Sequence, residues 1–149
     1  MFSFKKILVP LDGSKFAEKA VEPAISIARS MAADVVLFRV AQPIPRTEAL
    51  AAMPDVYNDV IAAAYREAES YLRAIQANLD YERVSIEFRA GEDGVARQIL
   101  AYNGESGVDL VVMTSHGYTG VKRWVYGSVA EKILQGCACS ILIIRCWED

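Results

Sequence analysis

Apolar positions recur along this chain with two different periods, and the periods alternate. Lys6 to Leu11 (KILVPL), Asp34 to Val40 (DVVLFRV), Val84 to Ala90 (VSIEFRA), Val108 to Met113 (VDLVVM) and Ile141 to Cys146 (ILIIRC) are short apolar or alternating runs that read as five strands. Between them, apolar residues fall at three- and four-residue steps. A first helical segment spans about Ser14 to Met31 with Ala17, Val21, Ala24, Ile25 and Ala28 as its stripe, and Pro23 within it predicts a kink or a late start. A second, about Val56 to Leu79, lines up Ile61, Tyr65, Ala68, Leu72, Ile75 and Leu79. Val95 to Asn103 and Ser128 to Gln135 are shorter; Asp93 or Gly94 opens the former, Ser128 the latter, and Gly136 closes the last.

The order of these elements predicts an α/β fold. Strands one, two and four are almost continuously apolar, as strands are when helices cover both faces of a parallel sheet. Val84 to Ala90 instead alternates, which places it at an edge with one wetter face. Gln42 to Asp55, with Pro43, Pro45 and Pro54, is the longest irregular stretch and the expected mobile loop. At 149 residues the chain has room for one domain, 1–149, and no linker or repeat divides it.

Composition narrows the partners. With 53% hydrophobic and 23% charged residues the chain has the material for a filled core. A net charge of −3 offers no basic field, which argues against nucleic acid or an anionic membrane as a partner. The apolar run after Lys5 and Lys6 is short and broken by Pro10 and Asp12, so neither a signal peptide nor a membrane span is expected, and the expected location is the cytoplasm. Three cysteines, Cys137, Cys139 and Cys146, are an odd number that suits a reducing compartment. With one histidine in the chain, Cys137-Ala-Cys139 reads better as small apolar thiols than as half a metal site.

The stretch Met113 to Val129 (MTSHGYTGVKRWVYGSV) carries the candidate chemistry. It leaves an apolar strand through Thr114, Ser115, His116 and Gly117, and with nine residues between, Gly117 is followed by Gly127-Ser128. Ser128 and Glu131 have capping-box spacing, which predicts a helix start there. The unpaired N–H groups and the positive dipole end of such a start favour an anion. There is no G-x-x-x-x-G-K-[ST] run, and Gly117-x-x-Gly120 lacks a G-x-G, so neither a P-loop nor a dinucleotide fingerprint is present.

This stretch resembles the nucleotide-binding signature of the universal stress protein family, G-x-x-G, nine residues, G-[ST], with Thr114 standing where the first glycine falls. Ile7 to Ser14 matches the family's opening and Cys139 to Arg145 its closing strand, so the likeness spans nearly the whole chain. It implies a Rossmann-like sheet, akin to the adenine nucleotide α-hydrolases, in the order 3-2-1-4-5. Ligands of such sheets sit beyond the carboxyl ends of the strands where the order reverses, between Pro10 to Ser14 and Met113 to Gly117. It also implies ATP, with Mg²⁺, held by Pro10, Leu11, Asp12, Ser14, Val40, Met113, Thr114, His116, Gly117, Gly127, Ser128 and Val129. A homodimer through the strand Ser140 to Cys146 follows from the same likeness, since pairing with a second copy removes an apolar open edge.

Each residue has a plainer reading beside this one. Asp12 binds ribose hydroxyls or shares a cation with phosphates, or it caps the first helix. His116 orients its loop rather than acting as a base, because no nucleophile accompanies it. Lys122 and Arg123 reach phosphates or only solvent, and Val40 and Met113 wall an adenine or only a core. The expected function is an ATP-binding regulator of the stress response that is not an enzyme beyond slow hydrolysis. The alternatives are a dimeric interaction module without nucleotide and a slow adenine nucleotide hydrolase.

Overall fold

A computed structural model describes residues 1–41, 47–90, 94–115 and 127–145. All strands pair in parallel in one sheet of order β3-β2-β1-β4-β5, built from β1 (Lys6–Leu11), β2 (Asp34–Ala41), β3 (Val84–Ala90), β4 (Leu110–Thr114) and β5 (Ser140–Ile144). The alternating strand lies at an edge, as its pattern predicts. The helices are α1 (Lys15–Glu18), α2 (Val21–Met31), α3 (Glu48–Ala51), α4 (Pro54–Ala77), α5 (Val95–Ser106) and α6 (Ser128–Gly136). Alternate residues of each central strand feed two cores. Ile7, Val9, Val35 and Leu37 pack with Ala24, Ile25 and Leu72 under α2 and α4, while Leu8, Val36, Phe38 and Val111 pack with Ile99, Ala130 and Ile133 under α5 and α6.

Several boundaries differ from the sequence expectation for local reasons. The first helical segment is two helices. Pro23 has no N–H to give to a carbonyl one turn earlier, and it falls in the first turn of α2, where that donor is not needed. The stretch expected to be irregular throughout contains α3, whose Thr47 side chain caps the N–H of Leu50 at 3.2 Å. Β4 starts at Leu110 rather than Val108 because Asp109 serves as a cap for the neighbouring strand. Its carboxylate accepts from the N–H groups of Lys5 (2.8 Å) and Lys6 (3.0 Å). Β5 ends at Ile144; Cys146 lies outside the described residues, as do Pro43, Pro45 and Asp93.

Ser128 is the first residue inside α6 and not its cap, which corrects the capping-box expectation. Gly127 is the N-cap, with its carbonyl accepting from Glu131 at 3.0 Å, and among the described residues no side chain caps this helix end. The helix closes one residue later than expected, with Gly136 inside it and Cys137 as C-cap.

Candidate nucleotide site

One proline ends the β1–β4 ladder at the strand-order reversal. The Lys6 carbonyl accepts from Asp109 N at 3.0 Å, on the β4 side, while the Lys5 carbonyl accepts from Asp34 N on the β2 side. Along a parallel strand alternate residues turn their backbone groups to the same neighbour, so Leu8 and Pro10 also face β4. The next β1–β4 link would need the N–H of residue 10, which proline lacks. The β1–β4 register accordingly stops at Leu8↔Val111, whereas β1 stays paired to β2 through Leu11↔Arg39. Beyond Leu8, backbone at the carboxyl ends of β1 and β4 is released from the ladder between them.

On the β1 side, the turn after Leu11 is shaped by its own side chains. The Ser14 N–H donates to Asp12 Oδ1 at 2.8 Å, and Ser14 Oγ accepts from Ala17 N at 3.2 Å. Ser14 is therefore the cap of α1, and Asp12 holds the turn that precedes it. Gly13 has φ +90°, a conformation that favours glycine, and a Cβ there would come 3.2 Å from Arg39 Nη2, which would have to shift slightly.

Arg39 is the residue that sequence reasoning missed. It is only 9% exposed, its guanidinium lies 4.7 Å from the centre of the Tyr71 ring, and Nη1 donates to Glu67 Oε1 at 2.9 Å. Burial, the negative charge of Glu18 and, more weakly, that of Asp12 all push the Tyr71 phenol well above its ordinary range, against the opposing pull of Arg39. The Tyr71 oxygen is buried without a well-formed hydrogen bond. A charged residue interrupting the otherwise apolar run VVLFRV was the available signal; its partners on α4 lie far along the chain.

On the β4 side, Ser115 ties the strand end to α6. Its N–H donates to the Ile144 carbonyl at 3.0 Å, and its own carbonyl accepts from Gly127 N at 3.0 Å. Val40 and Met113 are both buried in the core beneath α5 and α6. Leu11 sends its side chain into the opposite core, so a ligand on the α6 side would meet only its main chain. Thr114 is a buried, extended residue of β4 paired with Ile144, a conformation that needs no glycine. Ser128 is exposed and Val129 half-buried. His116, Gly117, Lys122 and Arg123 lie outside the described residues.

Gly127 contrasts with Gly13. Its φ of −59° and ψ of 157° are open to any residue, and the nearest atom to an added Cβ is the Ser115 carbonyl oxygen at 3.6 Å, an ordinary contact. Neither conformation nor packing within the described residues requires glycine there. Among those residues no three His, Cys, Asp or Glu side chains cluster as metal ligands, and no helix is long and apolar enough to cross a membrane.

An open parallel sheet of order β3-β2-β1-β4-β5 with helices on both faces defines a Rossmann-like fold. Residues 3–145 match the family model described as "Universal stress protein family", and the chain belongs to that family. Among its relatives, "Universal stress protein YxiE" of Bacillus subtilis (strain 168) is 29% identical over 147 residues, covering 95% of this chain and 99% of that protein. Among solved structures, the protein MJ0577 superposes with a TM-score of 0.82 at 24% identity, covering 99% of this chain and 100% of that one. A universal stress protein solved in complex with cAMP superposes at 0.62 with 20% identity, covering 96% of this chain and 98% of that one.

Proposed function

We propose that this chain is a cytoplasmic, ATP-binding regulator that holds Mg²⁺-ATP in the crevice between β1 and β4 and acts as a nucleotide-dependent switch or ligand carrier. The observation that carries this reading is Gly127: a glycine that neither its own conformation nor packing within the described residues requires, placed as the N-cap of α6. A side-chain-free position there lets phosphate oxygens approach the first-turn N–H groups, including those of Ser128 and Val129. The cAMP complex of a relative with this fold supports an adenine nucleotide as the ligand class. Val40 and Met113 would supply an apolar wall, while Pro10, Leu11 and Thr114 would contribute main chain. Asp12, half-buried in its turn, would meet ribose hydroxyls or the phosphate-bound cation, and Ser14 would fix that turn. His116 and Gly117 would complete the loop that follows Ser115. The sequence has no P-loop, so hydrolysis is expected to be slow and the nucleotide to act as a ligand.

A homodimer through β5 is part of the same proposal. Ser140 N donates to the Asp109 carbonyl and the Ile144 carbonyl accepts from Ser115, so even-numbered residues face β4. Ile141 and Ile143 therefore turn their backbone groups outward at the open edge, available to a second copy.

Calorimetric titration of the purified chain with Mg²⁺-ATP tests the nucleotide reading. Saturable binding is expected, lost in Gly127→Val and weakened in Asp12→Ala. A parent chain that takes up no nucleotide at millimolar concentration would leave the dimeric interaction module as the reading.

A further inference from the structure

The junction between α6 and β5 brings two thiols together outside the nucleotide crevice. Helix α6 ends with Cys137 as its C-cap, whose extended backbone (φ −81°, ψ 130°) turns the chain through the exposed Ala138 into Cys139. This places the two sulfurs 2.7 Å apart, both half-buried rather than sealed in the core. From α5, the Asn103 side-chain amide donates to Cys137 Sγ at 3.1 Å and to Cys139 Sγ at 3.4 Å. An amide directed at sulfur favours a sulfur carrying negative charge.

This spacing fits a covalent bond better than a metal. Two sulfurs on one zinc ion, each about 2.3 Å from it, stand roughly 3.7 Å apart. A disulfide needs about 2.05 Å, so the pair at 2.7 Å is closer to bonding distance than to a shared ion. No third His, Cys, Asp or Glu joins them among the described residues.

We propose that Cys137 and Cys139 form a reversible oxidation site, in which a small hydroperoxide converts the two thiols into an intramolecular disulfide at the α6–β5 junction. In the first step the Cys137 thiolate attacks the peroxide, the O–O bond breaks, and Cys137 becomes a sulfenic acid as hydroxide leaves and takes up the proton that Cys137 had released. In the second, Cys139 sulfur attacks the sulfenic sulfur, the S–O bond breaks, and the hydroxyl departs with the Cys139 proton as water. Two thiols and one hydrogen peroxide thus give one disulfide and two waters. A dithiol reverses it by exchange, leaving as its own disulfide. The assignment of roles follows the amide: the Asn103 donor lies nearer to Cys137 Sγ (3.1 Å) than to Cys139 Sγ (3.4 Å), while burial pushes the Cys139 thiol up.

The chain carries its own peptide map for the test. Trypsin cleaves after Lys132 and Arg145, so Cys137 and Cys139 share the peptide 133–145 while Cys146 leaves on a separate one. The reduced full-length protein is treated with hydrogen peroxide, the remaining thiols are alkylated, and the digest is weighed. The expected result is a peptide 133–145 lighter by two hydrogens than its reduced form and carrying no alkyl group, with the doubly alkylated form down at least about tenfold. Dithiothreitol before alkylation restores the doubly alkylated peptide. Cys146→Ser keeps this behaviour, and Cys137→Ser and Cys139→Ser lose it. Three results would overturn the proposal: full alkylation of the peptide under peroxide, a cross-link to the Cys146 peptide or to a second chain, or a stable sulfinic acid on one cysteine. The wild-type digest decides this alone, whatever the stability of the serine variants and whether or not the protein binds nucleotide.

Discussion

Replacing Gly127 with serine is expected to move stability and nucleotide affinity in opposite directions. At φ −59° and ψ 157° the backbone accepts any side chain, and among the described residues a Cβ meets the Ser115 carbonyl oxygen at 3.6 Å. Losing a glycine from such a site restricts the unfolded chain and stabilises the native one by about 0.4–1 kcal/mol. A serine hydroxyl at this N-cap can also accept from the N–H of Val129 or Ala130, adding a few tenths of a kcal/mol over glycine. The sum, about 1 kcal/mol, corresponds to a rise in Tm of roughly 2–4 °C for a chain of this size. The same hydroxyl takes the donor a phosphate would use and occupies its path. Losing one charge-assisted hydrogen bond costs about 1.5–3 kcal/mol, or roughly a ten- to hundredfold rise in Kd for ATP. Scanning calorimetry of the nucleotide-free protein and isothermal titration with Mg²⁺-ATP measure the two effects separately. A lower Tm would mean that the fold does need this glycine; an unchanged Kd would mean that the α6 start holds no phosphate.

Gly13→Ala should do the reverse, lowering stability by about 1–3 kcal/mol because its φ of +90° strains any Cβ and the Arg39 guanidinium must yield; chemical denaturation measures it, and an unchanged midpoint would refute it. Tyr71→Phe removes a buried hydroxyl that makes no well-formed bond and keeps the ring under Arg39, so denaturation should show a gain of up to about 1 kcal/mol. Because the Tyr71 phenol is raised in the folded state, the folded chain holds its proton longer than the unfolded one. Stability should therefore fall as pH rises above the ordinary value of 10.0, and Tyr71→Phe should flatten that decline in alkaline denaturation. Ile143→Pro removes an N–H that points away from β4, so light scattering should find a dimer for the parent and a monomer for the variant, with circular dichroism unchanged.

The fold was legible because its determinants are local and periodic. Β1 and β3 begin and end where their apolar patterns do, and β2 runs one residue further, to Ala41. Boundaries slipped where a side chain from another element intervened. Val108 and Asp109 look like strand by pattern, but the Asp109 carboxylate is committed to the N–H groups that open β1, roughly a hundred residues earlier. Ser128 looks like a cap by spacing, yet the cap is Gly127, one residue earlier, whose N–H donates to the Ser115 carbonyl. Thr47 was a readable cap for α3, hidden among prolines that suggested only a loop.

The candidate site was half legible, and the division follows the same line. Glycine, serine and aspartate at turns announce themselves by type and spacing, but Arg39 acquires its meaning only when α4 brings Glu67 and Tyr71 across it. Pro10 shows how one residue can belong to both classes. By sequence it merely interrupts an apolar strand; in the sheet its missing donor falls on the β4 side and not the β2 side, and so ends the ladder at the one place where the strand order reverses. At position 9 or 11 the same proline would face β2 and would break a ladder the fold uses. The parity of a single residue thus decides which of the two ladders ends early.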